Sequence, residues 1–120
     1  MTAMRMNEIS FGEARPVDGY GPGFFRVGGE VFEGPVLCLP GGVRAWGGLE
    51  DAGALVALAG ALDVLLIGTG ADMAPLPADL RRVLEAADLP LEPMGSPSAA
   101  RTYNVLLAEG RRVGAALLPV

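Results

Sequence analysis

The chain predicts an α/β domain in which strands alternate with helices around a mostly parallel central sheet, with a β-hairpin as an extra layer near the N-terminus. Three observations carry that expectation. Two glycines, Gly28-Gly29, separate the β-prone runs 24–27 and 30–33. Continuous apolar runs, Val36-Leu37-Cys38-Leu39 and Val64-Leu65-Leu66-Ile67, read as strands buried on both faces. Helical stripes and caps alternate with such runs from residue 49 onward.

In chain order, residues 6–11 are a candidate first strand, and Tyr20-Gly21-Pro22-Gly23 reads as a rigid bend feeding the hairpin. The glycine pair supplies the positive φ angles of a two-residue turn, which sets Phe25 opposite Phe32 and Arg26 opposite Val31. The apolar run Pro35 to Pro40 is the first buried strand, and 41–48 reads as a glycine-rich loop carrying Trp46. Leu49 to Gly60 reads as a helix, with Glu50 and Asp51 in its first turn and Gly60 as its stop. A second buried strand follows over Asp63 to Ile67. Pro77 opens the next helix, whose apolar stripe is Leu80, Val83, Leu84 and Ala87. Leu89 to Met94 is a strand whose prolines place it at an edge. Ser96 caps the last helix, Pro97 opens it and Gly110 closes it, before a final strand over Val113 to Leu118.

At 120 residues the chain is read as a single domain, 1–120, large enough for one core. Its net charge is −5, and its nine basic residues are all Arg. An acidic chain without a basic block is a poor ligand for nucleic acid. With no His there is no Ser-His or Cys-His pair, and with no Lys there is no Schiff base or phosphate-loop lysine. Lone Cys38 offers no disulfide and no metal spacing, and reads as a small buried apolar residue. No metal and no cofactor is expected. Residues 1–10 contain Glu8 and lack an apolar core, so they do not read as a secretory leader. The stretch 52–67 is too interrupted to span a bilayer, and a soluble, cytoplasmic protein is expected.

Several groups are candidate binding residues. Gly68-Thr69-Gly70 follows a buried strand directly, where loop amides of an α/β sheet can meet an anion. The loop lacks the third glycine and the immediate helix of a dinucleotide site, which favours a tight structural turn over a binding loop. Arg101 and Asn104, three apart on a helix, could hold a carboxylate or a partner's backbone; alternatively they tie down neighbouring loops. Trp46 and Tyr20 lie in glycine-rich segments and are either interface anchors or covers of the core.

The segments Tyr20 to Phe25, Gly34 to Pro40 with Trp46, Gly68-Thr69-Gly70, Leu76-Pro77 and Met94 through Leu118 together carry a resemblance over residues 7–120. The most specific block is Ala99-Ala100-Arg101-Thr102-Tyr103-Asn104 with Glu109-Gly110-Arg111-Arg112-Val113. The chain resembles the family of small, long-uncharacterised proteins that includes mitochondrial complex I assembly factor 3 and its bacterial relatives. That resemblance implies a three-layer (β+α/β/α) domain whose five-stranded mixed sheet has one antiparallel strand. It also implies a non-enzymatic role in binding and stabilising a part-built respiratory complex I near its quinone-reducing arm, peripheral to the inner membrane through that partner. Family members usually carry an acidic residue and a Thr-Gly pair after the Met that matches Met94. Here Gly95-Ser96-Pro97-Ser98 stands instead, so no site is carried over at that turn.

Assembly or accessory protein is therefore the leading reading, with Trp46, Tyr20, Phe24 and Arg101 as anchors toward complex I subunits. The alternative is a small-anion or carboxylate binder, or weak enzyme, using a crevice of Gly68, Thr69, Gly70, Arg101 and Asn104, with Asp72 or Glu109 for proton transfer. A third reading is self-association into a homodimer through the exposed aromatic hairpin.

Overall fold

The computed structural model describes residues 14–120, so the candidate strand at 6–11 lies outside the described residues. Three strands come first: β1 (Val17–Gly21), β2 (Phe24–Val27) and β3 (Glu30–Glu33), paired antiparallel in the order β1-β2-β3. The turn at Gly28 and Gly29 has φ of 58° and 84°, the doubly left-handed geometry only glycine takes without strain. It fixes Phe25 opposite Phe32 and Arg26 opposite Val31, as the glycine pair predicts.

The extra layer is larger than a hairpin. Tyr20 and Gly21, expected in a bend, belong to β1, because their backbone groups pair with Phe25 and Phe24. The chain bends at Pro22-Gly23. Gly21 leaves room for the Phe24 ring, which lies across it where a side chain would otherwise stand.

The second sheet holds β4 (Val36–Leu39), β5 (Gly42–Ala45), β6 (Val64–Gly68), β7 (Leu91–Met94) and β8 (Val113–Leu117), in the order β5-β4-β8-β6-β7. It is mixed: β4 runs antiparallel to β5 and β8, whereas β6 is parallel to both β7 and β8. One strand thus opposes the other four. Successive side chains alternate between two cores, as a pleated strand requires. Leu37, Leu39, Leu65, Ile67 and Ala116 join Leu55, Leu80, Leu84 and Trp46 in one core. Val36, Cys38, Leu66, Ala115 and Leu117 join Phe25, Val27, Ala99, Ala100 and Tyr103 in the other. Cys38 is a free thiol of that second core, and burial pushes it up to about 12, offset only in part by the Arg15 charge.

Three expectations are corrected. The loop 41–48 contains the edge strand β5, since Val36 to Leu39 pair residue by residue with Ala45 to Gly42. The single helix over Leu49 to Gly60 is a 3₁₀ turn at Gly48–Glu50 and a five-residue helix, α1 (Ala52–Val56). Asp51, at φ −102° and ψ 62°, breaks the helix between them. Its side chain accepts a hydrogen bond from the Gly47 amide at 3.2 Å, and its carbonyl accepts one from Trp46 Nε1 at 3.4 Å. In α2 (Ala78–Ala86) only Leu80 and Leu84 are buried; Val83 is exposed, because this nine-residue helix presents a narrow stripe to the core. Pro77 stands just before α2 as its capping residue.

Helix α3 (Ser96–Ala108) follows β7, which carries Pro93 and is the edge strand expected of it. The α3 helix ends at Gly110, whose φ of 78° turns the chain into β8. Asp63 holds that turn: its carboxylate accepts from the Arg112 amide and guanidinium at 3.1 and 3.0 Å. These contacts hold the Asp63 carboxyl below its ordinary range.

Candidate functional site

The Gly68-Thr69-Gly70 segment leaves the end of β6 directly under the first turn of α3. A methyl group on Gly68 would lie 2.6 Å from Ser96 Oγ and 2.9 Å from Leu117 Cδ2, so only glycine fits between helix and sheet. Ser96 is fully buried. Its Oγ donates to the Leu118 carbonyl at 2.6 Å and accepts from the Gly70 amide at 2.9 Å. Its own amide donates to the Gly70 carbonyl at 2.7 Å. The Thr69 amide donates to the Met94 carbonyl at 2.9 Å and the Leu118 amide to the Gly68 carbonyl at 3.0 Å. Thr69 Oγ1 donates to the Asp72 carbonyl at 2.8 Å and accepts from the Ala74 amide at 2.9 Å, closing the following loop on itself.

This corner is therefore internally satisfied. The amides of Thr69, Gly70, Ser96 and Leu118, which an anion would need, each already donate to a protein oxygen. Ser96, read from sequence as a helix cap, makes no capping bond; Gly95 occupies that position and Ser96 instead ties β6, α3 and β8 together. Nothing in its sequence context marks this role, since a Ser before a Pro at a helix start reads as a cap.

Arg101 and Asn104 are not brought to this corner by any hydrogen bond among the described residues. Along α3 the Ser96–Asn104 separation is about 12 Å at 1.5 Å per residue. Asn104 instead grips β1: its Oδ1 accepts from the Val17 amide and its Nδ2 donates to the Val17 carbonyl, both at 2.8 Å. The side-chain amide imitates a neighbouring strand. At the preceding residue, the buried Tyr103 hydroxyl donates to the Arg15 carbonyl at 2.9 Å. Burial, reinforced by Cys38, raises the Tyr103 phenol well above its ordinary value. Arg101 is exposed, with no ion pair among the described residues.

The aromatic candidates divide. Trp46 is only 5% exposed and belongs to the core, so the interface reading of it is corrected: its ring packs inward and its N–H is taken by Asp51. Tyr20 is 45% exposed, with its ring 6.5 Å from that of Phe25. Two open grooves lie nearby. One, of about 470 Å³, runs over the outer face of the hairpin and is lined by Pro22, Gly23, Phe24, Arg26, Val31 and Glu33. The other, of about 390 Å³, lies beside Asn104 between Ala14, Pro16, Leu107 and Ala108. Among the described residues no cluster of acidic, Cys or His side chains could hold a metal ion.

Fold and site together define a small α/β domain in which a five-stranded mixed sheet carries an additional three-stranded one, and whose strand-end corner is bonded to itself. Residues 17–118 match the family model described as a protein of unknown function (DUF498/DUF598), and the chain belongs to that family. It is 55% identical over 117 residues to an uncharacterised protein of Rhodobacter capsulatus, covering 98% of this chain and 94% of that one. It is 30% identical over 107 residues to the zebrafish (Danio rerio) NADH dehydrogenase [ubiquinone] 1 alpha subcomplex assembly factor 3. That alignment covers 83% of this chain but only 62% of the zebrafish protein's length. A solution structure from Bordetella pertussis, described as a Mth938-like domain, superposes with a TM-score of 0.71 at 32% identity. It covers 97% of this chain and 92% of the Bordetella chain.

Proposed function

We propose that this chain is a non-enzymatic assembly or accessory protein that binds and stabilises the soluble, quinone-reducing arm of respiratory complex I. The observation that carries this reading is the 30% identity, over 107 residues, to a protein named as an assembly factor for that complex. The chemistry of the domain supports it. The chain has no His and no Lys, and its buried hydroxyls at Ser96 and Tyr103 are spent on backbone carbonyls. The small-anion alternative loses support at the corner that suggested it, because its amides are occupied and Asn104 is committed to β1.

In this reading the chain works in the cytoplasm at the inner membrane, reached through its partner; no helix among the described residues is long and apolar enough to cross a membrane. Arg101, exposed on α3, and Tyr20, on β1, are its contact residues. A tagged chain should recover complex I subunits from detergent-solubilised membranes of the source organism, and Arg101→Ala should recover several-fold less. Equal recovery by Arg101→Ala would remove Arg101 from the contact. Recovery of no complex I subunit by the wild-type chain would remove the function.

A further inference from the structure

The outward face of α3 carries almost no charge. Arg101 is the one charged residue among the 13 of this helix, and the exposed positions are Ser98, Arg101, Val105 and Ala108. Val105 is 52% exposed. A helix face left to water ordinarily carries charged and polar residues. An apolar face with a single Arg has instead the composition of an interface centre, where Arg is enriched and other charges are depleted. At about 100° per residue, Arg101, Asn104, Val105 and Ala108 fall on one side of the helix.

The groove of about 390 Å³ adjoins that side, walled by Leu107 and Ala108 and by Ala14 and Pro16, with Asn104 as its polar member. Asn104 spends one Nδ2–H and one Oδ1 lone pair on Val17, which leaves its second Nδ2–H without an acceptor among the described residues. A backbone carbonyl in the groove satisfies it. An extended segment has such carbonyls to offer, whereas those of a helix bond to its own amides. Arg101 supplies the charge: it meets no carboxylate among the described residues, while Arg15, Arg81, Arg82 and Arg112 each meet one. Along the axis Arg101 stands about 9–10 Å from Leu107 and Ala108, the length of about three extended residues. The next acidic residue along the chain, Glu109, lies about 12 Å beyond Arg101, so a carboxylate is favoured at the Arg101 end and repelled at the other.

We propose that this groove docks an extended segment of a partner protein in which an acidic residue and a large apolar residue stand three apart. The apolar side chain fills the hollow between Leu107, Ala108, Ala14 and Pro16, a backbone carbonyl accepts from Asn104, and the carboxylate pairs with Arg101. Which protein supplies the segment rests on the assembly reading; the recognition chemistry does not.

The test uses the full chain, labelled with ¹⁵N and at its Leu and Val methyls. It is titrated to millimolar concentration with the blocked peptides Glu-Ser-Thr-Leu and Leu-Thr-Ser-Glu, which cover both chain directions. One of them should give saturating shifts at the Leu107 methyls, the Asn104 side-chain amide and the Arg101 Nε–H, with the Ser96 corner unmoved. Replacing its Glu by Lys, or its Leu by Ser, should weaken binding at least about tenfold. Arg101→Glu should reverse the preference for Glu over Lys. Ala108→Trp, which fills the hollow from an exposed position, should abolish binding while the Asn104 and Val17 amide signals persist. No shift at the groove, equal binding of the Glu and Lys peptides, or tighter binding of octanoate than of either peptide would overturn the proposal, the last by making this an acyl-chain site. An NOE from Phe11 to the Leu107 methyls in the free chain would overturn it in favour of this chain's own N-terminal residues. Groove shifts that grow with protein concentration alone would overturn it in favour of a second copy. If the peptides fail while the tagged chain still recovers complex I subunits, the groove falls and the assembly role stands. If a peptide binds and no complex I subunit is recovered, the groove stands and the partner is another protein.

Discussion

At the strand-end corner the amides of Thr69, Gly70, Ser96 and Leu118 all find protein acceptors, whereas along β3 those of Val31 and Glu33 face outward with no such partner among the described residues. The two regions invert what their compositions suggest. The corner, rich in Gly and hydroxyls, looks like a ligand cradle and is a weld between β6, α3 and β8. The hairpin edge, four residues of Glu, Val and Phe, looks like ordinary structure and is where backbone remains available. Glycine at Gly68 reports a close approach of the chain to itself, not of a ligand to the chain.

The sealed side of that comparison meets its largest test in alkali. Cys38 has a folded pKa raised by burial from 9.0 to about 12, so its contribution is complete below pH 9 and lost as pH climbs through 12. Over that window the unfolded thiol ionises and the folded one does not, which removes about 1.4 kcal/mol of stability per pH unit. Tyr103 acts in the same direction. Melting temperatures measured from pH 8 to 12 should fall steeply for wild type and less steeply for Cys38→Ala. Equal slopes would mean that this core admits water.

Gly68→Ala should cost about 2–3 kcal/mol, because the added methyl meets Ser96 backbone as well as its hydroxyl. A urea midpoint that drops with an unchanged m-value would show it. Wild-type stability would mean that the corner has slack for a ligand after all. Asn104→Leu should cost about 2 kcal/mol, two hydrogen bonds with one half-buried strand end left unsatisfied. Amide exchange should then quicken across β1 but not at the Ser96 corner; equal quickening at both would show the two regions to be one cooperative unit. Asp88→Gly lies outside both regions as a control. Asp88 ends α2 at φ 63°, a conformation that disfavours a side chain, so glycine should stabilise by about 0.5–1 kcal/mol. A loss instead would point to a contact that its exposed carboxylate makes.

What was legible in the sequence follows from how local each cause is. The Gly28-Gly29 turn is a two-residue cause, and it yields the register of Phe25 with Phe32 correctly. Val36 to Leu39 and Val64 to Ile67 announce burial on both faces by having no polar residue. Gly41 to Gly48 and Tyr20 to Gly23 mislead, because glycines that mark turns in isolation are here paired into β5 and β1 by strands elsewhere. Likewise the helix expected over Leu49 to Gly60 yields to Asp51, whose side chain and carbonyl serve Gly47 and Trp46. The site was legible only as a set of residue types. Gly68, Thr69 and Gly70 do sit at a strand end, but Ser96 lies 26 residues beyond the Gly70 it binds and Leu118 lies 50 beyond the Gly68 it binds. Asn104 finds Val17 across 87 residues. No pattern within one window encodes such pairings, and the outward amides of Val31 and Glu33 emerge only from the register of β3 on β2.

The most direct test of the assembly role is the amount of intact complex I in membranes of a strain lacking this gene, resolved on a native gel and assayed for NADH:quinone activity. Assembled complex and activity should both fall in the deletion strain and return when the chain is supplied in trans. Unchanged complex and activity would contradict the role.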